Sequence, residues 1–371
     1  MVLIRAGKAW HAVTEVMTRT SSKASEPRTI TVVGAGIFGL WQALLLARAG
    51  HRVRLIERST EPFNGGASRG ASQWAGAMIA PFCEAEAAPP AIRDAGRDGL
   101  RLWRDVYPGL VSNGSLVVAS ARDQSELVRF GRLTVGHETV AGGQLADLEP
   151  DLAGRFPKAL YFADEAHLET PLALRFLVDG VRQAGAELCF GTAWSVSEHQ
   201  SIASRDLVID CRGLAARDDL PTLRGVRGER LLIRSRDVRL RRPVRLLHPR
   251  ASFYMVPWRD GVHLVGATVI ESEDDRPMSA RSALELLGLT YALHPGFGEA
   301  DIIEMSAGVR PAFPDNVPKA IVPENAADGS IISVNGAYRH GFLLAPVMAK
   351  AVVDWLASGV IRPDLMTVAR T

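Results

Sequence analysis

The feature that most constrains this chain is a run of 19 residues without a charge, residues 29–47. Its length is close to that of a membrane-spanning helix, but its composition changes along it. A β-branched stretch, Thr29–Val33, precedes a glycine turn at 34–36 and a leucine- and alanine-rich stretch at 38–49. A doubly buried strand followed by a packed helix is typical of a parallel α/β sheet. The run therefore predicts a strand, a turn and a helix, and we expect no transmembrane segment.

The turn belongs to a GxGxxG pattern formed by Gly34, Gly36 and Gly39. The chain has 34 glycines, so the pattern is informative only because it joins a predicted strand to a predicted helix. Gly34 permits the tight turn, Gly36 lets a pyrophosphate approach the backbone, and Gly39 lets the helix pack closely on the strand. The helix N-terminus then faces the phosphate charge. The pattern therefore predicts a dinucleotide site.

A second predicted strand, residues 52–56, ends at the acidic Glu57. Glu57 follows Gly34 by 23 positions, near the spacing of about 20 expected for a carboxylate that binds ribose hydroxyls. A carboxylate there would repel a 2′-phosphate. The spacing predicts FAD or NAD rather than NADP.

Small residues follow in the segment Ser72-Gln-Trp-Ala-Gly-Ala77, which suits a backbone that passes close to a flat ligand. Here the chain resembles the D-amino-acid-oxidase-type flavoproteins, and among them the glycine oxidases of thiamine biosynthesis. In that family the GxGxxG holds FAD, and a segment Ser-x-Trp-Ala-Gly-Gly lies along the cofactor. Ala77 stands here in place of the common glycine.

The spacing and the resemblance together imply a set of cofactor-binding residues. These are Gly34, Gly36, Ile37, Phe38, Gly39, Glu57, Arg58, Ser72, Gln73, Trp74, Ala75, Gly76, Ala77, Met78, Trp194, Cys211, Gly213, Arg310, Arg339, His340, Gly341, Phe342 and Leu343. The resemblance places Trp194 by the adenine, and it places the strand that ends at Gly213 on the cofactor side. Because residues 308–316 contain no cysteine, we expect the FAD to be non-covalent.

The resemblance also implies a substrate pocket formed by Tyr254, Arg310 and Arg339. Tyr254 lies in a predicted hairpin with a turn at 260–261, and the family's tyrosine there faces the substrate. Arg310 falls on an arginine that grips the substrate carboxylate, for which a guanidinium fork is well shaped. The alternatives are a sheet tyrosine with its hydroxyl at the surface and an arginine in a structural ion pair.

Residues 335–346 are the most specific match to the family. Arg339 falls on the family's second pocket arginine, while His340 replaces an asparagine and Phe342 an isoleucine. Because these changes lie where specificity is set, the substrate need not be glycine. A predicted helix at 343–357 directs its N-terminus at the flavin, where amides would stabilise negative charge.

Charge and cysteine content limit the other classes of function. Forty-three basic and 41 acidic residues leave a formal charge of +2, which argues against a nucleic-acid-binding protein. Nine arginines between 227 and 250 indicate either an anionic partner or solvated strands with one or two paired arginines, and we favour the second. The three cysteines have no metal or disulfide spacing, which favours a reducing, cytoplasmic location and no metal site.

We therefore predict an α/β fold with a discontinuous Rossmann-like FAD-binding domain and a second domain of an antiparallel β-sheet plus helices. The predicted boundaries are 29–90, 150–222 and 300–358 for the FAD-binding domain, 91–149 and 223–299 for the substrate domain, and 359–371 for a tail. Residues 1–28 are interpreted as a flexible extension, with a later start at Met17 or a targeting segment as alternatives.

The resemblance implies oxidation of glycine or another small amino acid or secondary amine acid. The substrate α-carbon gives a hydride to flavin N5, the imine hydrolyses, and dioxygen reoxidises the flavin to yield hydrogen peroxide. The alternatives are a dehydrogenase that passes electrons to a quinone or partner subunit, an NAD-dependent dehydrogenase, and a flavin-carrying accessory subunit. The sequence leaves open the substrate, the electron acceptor and whether the protein is a homo-oligomer.

Overall fold

The computed structural model describes residues 26–60, 70–201, 206–249, 251–325 and 327–369, so most of the predicted N-terminal extension lies outside them. The helices described are α1 (Ile37–Arg48), α2 (Pro81–Glu84), α3 (Pro90–Val106), α4 (Gln124–Leu133), α5 (Gly142–Leu148), α6 (Thr170–Gln183), α7 (Val196–Ser201), α8 (Ala280–Leu293) and α9 (Gly341–Ser358). The strands are β1 (Thr29–Val33), β2 (Arg52–Glu57), β3 (Met78–Ile79), β4 (Ser115–Ala119), β5 (Glu138–Ala141), β6 (Lys158–Phe162), β7 (Ala166–His167), β8 (Glu187–Phe190), β9 (Leu207–Asp210), β10 (Arg224–Arg234), β11 (Val244–His248), β12 (Ala251–Pro257), β13 (Val262–Gly266), β14 (Asp301–Ala312), β15 (Lys319–Val322), β16 (Ile331–Asn335) and β17 (Met366–Val368).

A seven-stranded sheet, in the order β17-β15-β16-β9-β1-β2-β8, is built around the predicted first strand. Its pairs are parallel except β15 with β16. Ile30 and Val32 of β1 are fully buried, and α1, α3, α6 and α9 pack together in the same core. The uncharged run is therefore a strand, a turn and a buried helix, as predicted.

An eight-stranded sheet, in the order β14-β10-β13-β12-β11-β4-β6-β5, forms the second layer. Its pairs are antiparallel except β11 with β4. The predicted hairpin is present: β12 and β13 pair across a turn in which Asp260 and Gly261 both have positive φ angles. Apolar side chains of this sheet and of α8 form a separate core.

Three segments lie elsewhere than the predicted domain boundaries placed them. Strand β14 pairs along its length with β10, so it belongs to the eight-stranded sheet. Helix α3 packs on α9 in the core of the seven-stranded sheet because its apolar face, including the fully buried Trp103, meets that layer. Strand β17, in the predicted tail, pairs in parallel with β15 and buries Met366.

Helix α9 begins at Gly341, two residues before the predicted start, and is the one described helix long and apolar enough to pass a length and composition test for a membrane span. Sixty-seven per cent of it is buried inside the protein, as in a core helix. Trp103 Nε1 donates a hydrogen bond of 2.6 Å to the carbonyl oxygen of Phe342, and the two rings stack with centroids 6.2 Å apart. The contact with Trp103 accommodates the aromatic residue that replaces an isoleucine at position 342.

Candidate active site

A cavity of about 970 Å³ is lined by residues of both sheets. It is at the upper end of the range for small-molecule and cofactor sites, about 300–1,000 Å³. Of the residues predicted from the sequence, all line the cavity except Gly39, His340 and Leu343. Gly39 packs on the carbonyl oxygen of Gly34, and Leu343 packs against Gly96 and Gly99 of α3. Gly39 and Leu343 therefore pack behind the residues that line the cavity and support them.

The glycine turn between β1 and α1 has the geometry that the GxGxxG pattern predicts. Gly34 has a φ of +96°, and its N–H donates a 2.8 Å hydrogen bond to the carbonyl oxygen of Ile56. A side chain at Gly39 would overlap the carbonyl oxygen of Gly34, so only glycine allows this approach of helix and strand. A Cβ atom on Gly36 would lie 3.2 Å from the Ser72 hydroxyl and would narrow the cavity. The turn therefore presents bare backbone where a pyrophosphate would bind.

Glu57 lies at the end of β2 and faces the glycine turn. Its two carboxylate oxygens accept hydrogen bonds from the backbone N–H of Ala35, at 2.8 Å, and of Ser59, at 2.9 Å. A carboxylate can accept about four hydrogen bonds, so the Glu57 carboxylate can still accept hydrogen bonds from ribose hydroxyls. Glu57 therefore also stabilises the glycine turn, a role that its spacing did not reveal.

The segment of small residues lies along the cavity and is held by hydrogen bonds to its backbone. The Thr170 hydroxyl donates to the carbonyl oxygen of Ala75 at 2.7 Å, and the N–H of Leu168 donates to that of Ala77 at 3.2 Å. Ala77 has a φ of +50°, in the left-handed region that favours glycine. This backbone conformation gives a physical reason for the glycine that the family usually has at this position.

Trp194 and Arg212 form part of the cavity wall, in the region where the family resemblance places the adenine. The Arg212 guanidinium carbon lies 4.9 Å from the ring centroid of Trp194 and is held by Asp210, at 2.7 Å. Cys211 follows in the wall, and burial raises the pKa of its thiol well above the usual value, so the thiol stays protonated. Gly213, two residues after Cys211, also lines the cavity and has a φ of +59°.

Arg310, on β14, lines the cavity in the region where the family resemblance places the substrate. Its Nη1 donates to the carbonyl oxygens of Arg227 and Thr268, both at 3.3 Å, and within the described residues it forms no ion pair with a carboxylate. Its guanidinium lies so close over Gly228 that any side chain there would overlap it. The structural ion pair considered as an alternative for Arg310 is thus not present among the described residues.

Loop residues 267–279 supply the Thr268 carbonyl and are fixed by a buried ion pair between Arg227 and Glu229, 2.7 Å apart. Arg227 also donates to the carbonyl oxygens of Asp274, Arg276 and Pro277. Glu229 accepts from the N–H of Ser279. The pair therefore fixes the backbone to which Arg310 is bonded.

The ring of Tyr254 is enclosed by two glycines. A Cβ atom on Gly76 would lie 2.6 Å from the ring, and one on Gly266 would lie 2.8 Å from it. Tyr254 is half-buried and lines the cavity, so its hydroxyl does not belong to an outer surface. The geometry agrees with the expected substrate-facing position.

Glu84, Arg230 and Arg245 are among the cavity residues that the sequence did not predict as site residues. Both arginines come from the arginine-rich stretch, whose side chains were expected to be mostly solvated. That expectation is wrong for several of them, since Arg227, Arg230, Arg242 and Arg245 are at most 8% exposed and each is paired with a glutamate. Arg245 lies opposite Tyr254 in the register of β11 and β12. Pairing these two strands in the sequence analysis could therefore have indicated Arg245 as a site residue. Glu84 carries no such signal in the sequence.

The glycine turn, the Glu57 carboxylate, the small-residue segment and the long cavity fit a flavin dinucleotide. The chain belongs to the FAD dependent oxidoreductase (DAO) family, whose model matches residues 29–355. The cofactor of this family is FAD, which decides between the two cofactors that the sequence left open.

Particular relatives narrow the comparison further. The chain is 47% identical to a provisionally named thiamine biosynthesis oxidoreductase, ThiO, of Rhizobium etli, over 90% of this chain and 98% of that protein. It is 25% identical to a glycine oxidase of Geobacillus kaustophilus, over 88% of this chain and 92% of that protein. The solved glycine oxidase of Bacillus cereus superposes with a TM-score of 0.73 and 19% identity, covering 90% of this chain and 96% of that one. This last likeness concerns the fold.

Proposed function

We propose that this protein oxidises glycine or another small amino acid or secondary amine acid, uses dioxygen as the electron acceptor, and acts in thiamine biosynthesis. The names of its relatives support the substrate class and the pathway. The observation that carries the proposal is the guanidinium of Arg310. It lines the cavity, donates hydrogen bonds to two carbonyl oxygens and forms no ion pair with a carboxylate among the described residues. A substrate carboxylate is the partner that such a group requires.

The roles of the pocket residues follow from their positions. Arg310 binds the substrate carboxylate, and Tyr254, which is confined between Gly76 and Gly266, bounds the pocket and can donate its hydroxyl to the same carboxylate. FAD held in the cavity would supply the acceptor for a hydride from the substrate α-carbon. Hydride transfer from a neutral amine needs no general base, so these residues act by binding and orientation.

The amides at the start of α9 are the residues proposed to stabilise negative charge on the cofactor. Gly341 and Phe342 of the first turn line the cavity. The positive end of a helix favours an anion there by about 0.3–1 kcal/mol. Arg339, two residues before the helix, adds a positive charge to the same wall.

We also propose a cytoplasmic location and association into a homo-oligomer. The first is supported by the three cysteines, which are free thiols. The second is supported by the exposed apolar side chains of the edge strand β14, Ile302, Ile303 and Met305, which are 44–48% exposed. Light scattering of the purified protein tests the oligomeric state.

Anaerobic reduction of the bound flavin tests the function. We expect the flavin absorbance to bleach with glycine, sarcosine or a small D-amino acid, and we expect about one peroxide per imine when air is admitted. Bleaching with little or no peroxide would identify a dehydrogenase that uses a quinone or a partner. A flavin that stays oxidised with every amine tested would identify an accessory subunit instead.

A further inference from the structure

Glu84 is a carboxylate in the wall of the cavity that the proposed reaction does not use. It is the last residue of the short helix α2, which follows the small-residue segment and β3. Its side chain is 15% exposed, and it lines the same cavity as Arg310 and Tyr254. A carboxylate so close to a site that binds a negatively charged substrate requires an explanation.

Three basic side chains converge on the Glu84 carboxylate. Oε1 lies 3.3 Å from Nη2 of Arg245 and 3.6 Å from Nη2 of Arg339, and Oε2 lies 3.4 Å from Nδ1 of His340. Burial acts to raise the pKa of Glu84, but the charges of Arg339, His340 and Arg245 outweigh it and lower the pKa to about 2. Glu84 is therefore a carboxylate at neutral pH. His340 carries a charge only at acid pH, where Glu84 titrates, because burial lowers the pKa of its imidazole; at neutral pH the two arginines are the cations beside Glu84.

The ion pairs divide the arginines at this end of the cavity into two groups. Arg245 and Arg339 share Glu84, and Arg230 pairs with Glu304 at 3.0 Å. Arg310 alone among these four has no carboxylate partner within the described part of the chain. The pocket therefore offers a substrate one guanidinium that forms no ion pair with a carboxylate among the described residues.

We infer that Glu84 makes the pocket selective for substrates with a single carboxylate. Its carboxylate takes the position on Arg245 and Arg339 that the second carboxylate of a dicarboxylic amine would otherwise occupy, and it repels such a group. This inference rests on the proposed function, since it concerns the carboxylate pocket of that reaction. Glu84 is thereby assigned as a specificity-determining residue. The main role of Arg339 is then its ion pair with Glu84, and contact with the substrate is secondary.

Binding of non-reacting acids to the oxidised holoprotein tests the inference without any turnover. Acetate is the monocarboxylate probe, and malonate, succinate and glutarate are dicarboxylates of three lengths; each Kd is measured from the perturbation of the flavin spectrum. In the wild type we expect every dicarboxylate to bind no more tightly than acetate. In Glu84→Gln we expect at least one dicarboxylate to gain tenfold to a hundredfold over acetate, the range expected of new charge-assisted hydrogen bonds.

Two further variants complete the design. Glu86→Gln removes a carboxylate two positions away that pairs with Arg129 and does not line the cavity, so it should leave every Kd unchanged. In Glu84→Gln/Arg339→Met the gain for dicarboxylates should shrink, because only Arg245 of the two arginines released by Glu84→Gln remains.

The inference is overturned if Glu84→Gln leaves the ratio of the acetate and dicarboxylate Kd values unchanged. It is overturned equally if the wild type binds a dicarboxylate ten times more tightly than acetate, a measurement that needs no variant to fold. Neither result depends on oxidation of an amine, so failure of the proposed reaction would be seen separately, as a flavin that no amino acid reduces.

Discussion

The guanidinium of Arg310 lies against the backbone of Gly228, on the neighbouring strand, where any side chain would overlap it. This contact keeps the arginine in the cavity wall. Arg310→Ala should lower kcat/KM for an amino acid by about two to four orders of magnitude, because losing the partner of a buried charge costs about 3–5 kcal/mol. The measurement compares glycine with methylamine, which lacks the carboxylate.

Arg310→Lys should also impair activity, because lysine keeps the charge but loses the bidentate fork. Arg236→Ala is the matched control, since Arg236 is 85% exposed in its side chain. The FAD spectrum should stay normal in all three variants. If wild type oxidised glycine and methylamine equally well, or Arg310→Ala lost both equally, Arg310 would not be the carboxylate anchor.

Glu57→Ala should weaken FAD binding about tenfold to a hundredfold, the effect of losing charge-assisted hydrogen bonds of about 1.5–3 kcal/mol. Part of the loss is expected to come from the glycine turn, because the N–H of Ala35 loses its acceptor. Dialysis of the holoprotein followed by flavin fluorescence measures it. Glu187→Ala is the control, since Glu187 is an exposed carboxylate on β8 that pairs with Arg54. Unchanged FAD affinity in Glu57→Ala would exclude a ribose contact.

Ala77→Gly should be about 1–2 kcal/mol more stable than Ala75→Gly, because only Ala77 has a left-handed backbone conformation that an L side chain strains. Ala75 has a φ of −67°, so glycine there brings only the greater entropy of the unfolded chain. Denaturant unfolding of the holoproteins measures both. Equal stabilities of the two variants would show that residue 77 is not strained.

The fully buried Glu165 should make stability depend on pH. It accepts hydrogen bonds from the N–H of Cys83, at 2.7 Å, and from the Ser115 hydroxyl, and burial raises the pKa of its carboxyl from 4.5 to about 7. A raised folded-state pKa contributes stability that is complete below about pH 4.5 and is lost as the pH rises through 7.

Relative to Glu165→Gln, wild type should therefore lose on the order of 3 kcal/mol of unfolding free energy between pH 4.5 and pH 8. Urea unfolding of both proteins at the two pH values gives the difference directly, and changes in other titrating groups cancel. A difference that is the same at both pH values would contradict the raised pKa.

A non-covalent cofactor is the last prediction. Among the cysteines, only Cys211 lines the cavity, and its thiol is kept protonated by burial, which makes it a poor nucleophile for attachment to the flavin. Acid precipitation should release all the yellow chromophore into the supernatant. Flavin retained in the precipitated chain would show a covalent link.

The local part of the site was determined by the sequence alone. The strand Thr29–Val33, the turn at Gly34 and the helix that follows are encoded by residues within one stretch of chain, whose side chains decide between strand, turn and helix. The spacing to Glu57 follows from the length of one strand-helix-strand unit. Arg310 and Tyr254 were found because their neighbours in sequence resemble a known family.

The tertiary structure alone decided which distant charges meet. Glu84 contacts Arg245, 161 positions away, through the pairing of β11 with β4 and β12, and nothing in the residues around Glu84 encodes that contact. The same holds for strand β14, which β10 draws into the eight-stranded sheet, and for Phe342, whose ring is stacked by Trp103 from another helix. Short motifs reflect the regular geometry of the local backbone, whereas long-range ion pairs depend on the path of the whole chain. A pattern in the sequence therefore predicts the cofactor site, but the charge balance of the substrate pocket is defined only when the two sheets come together.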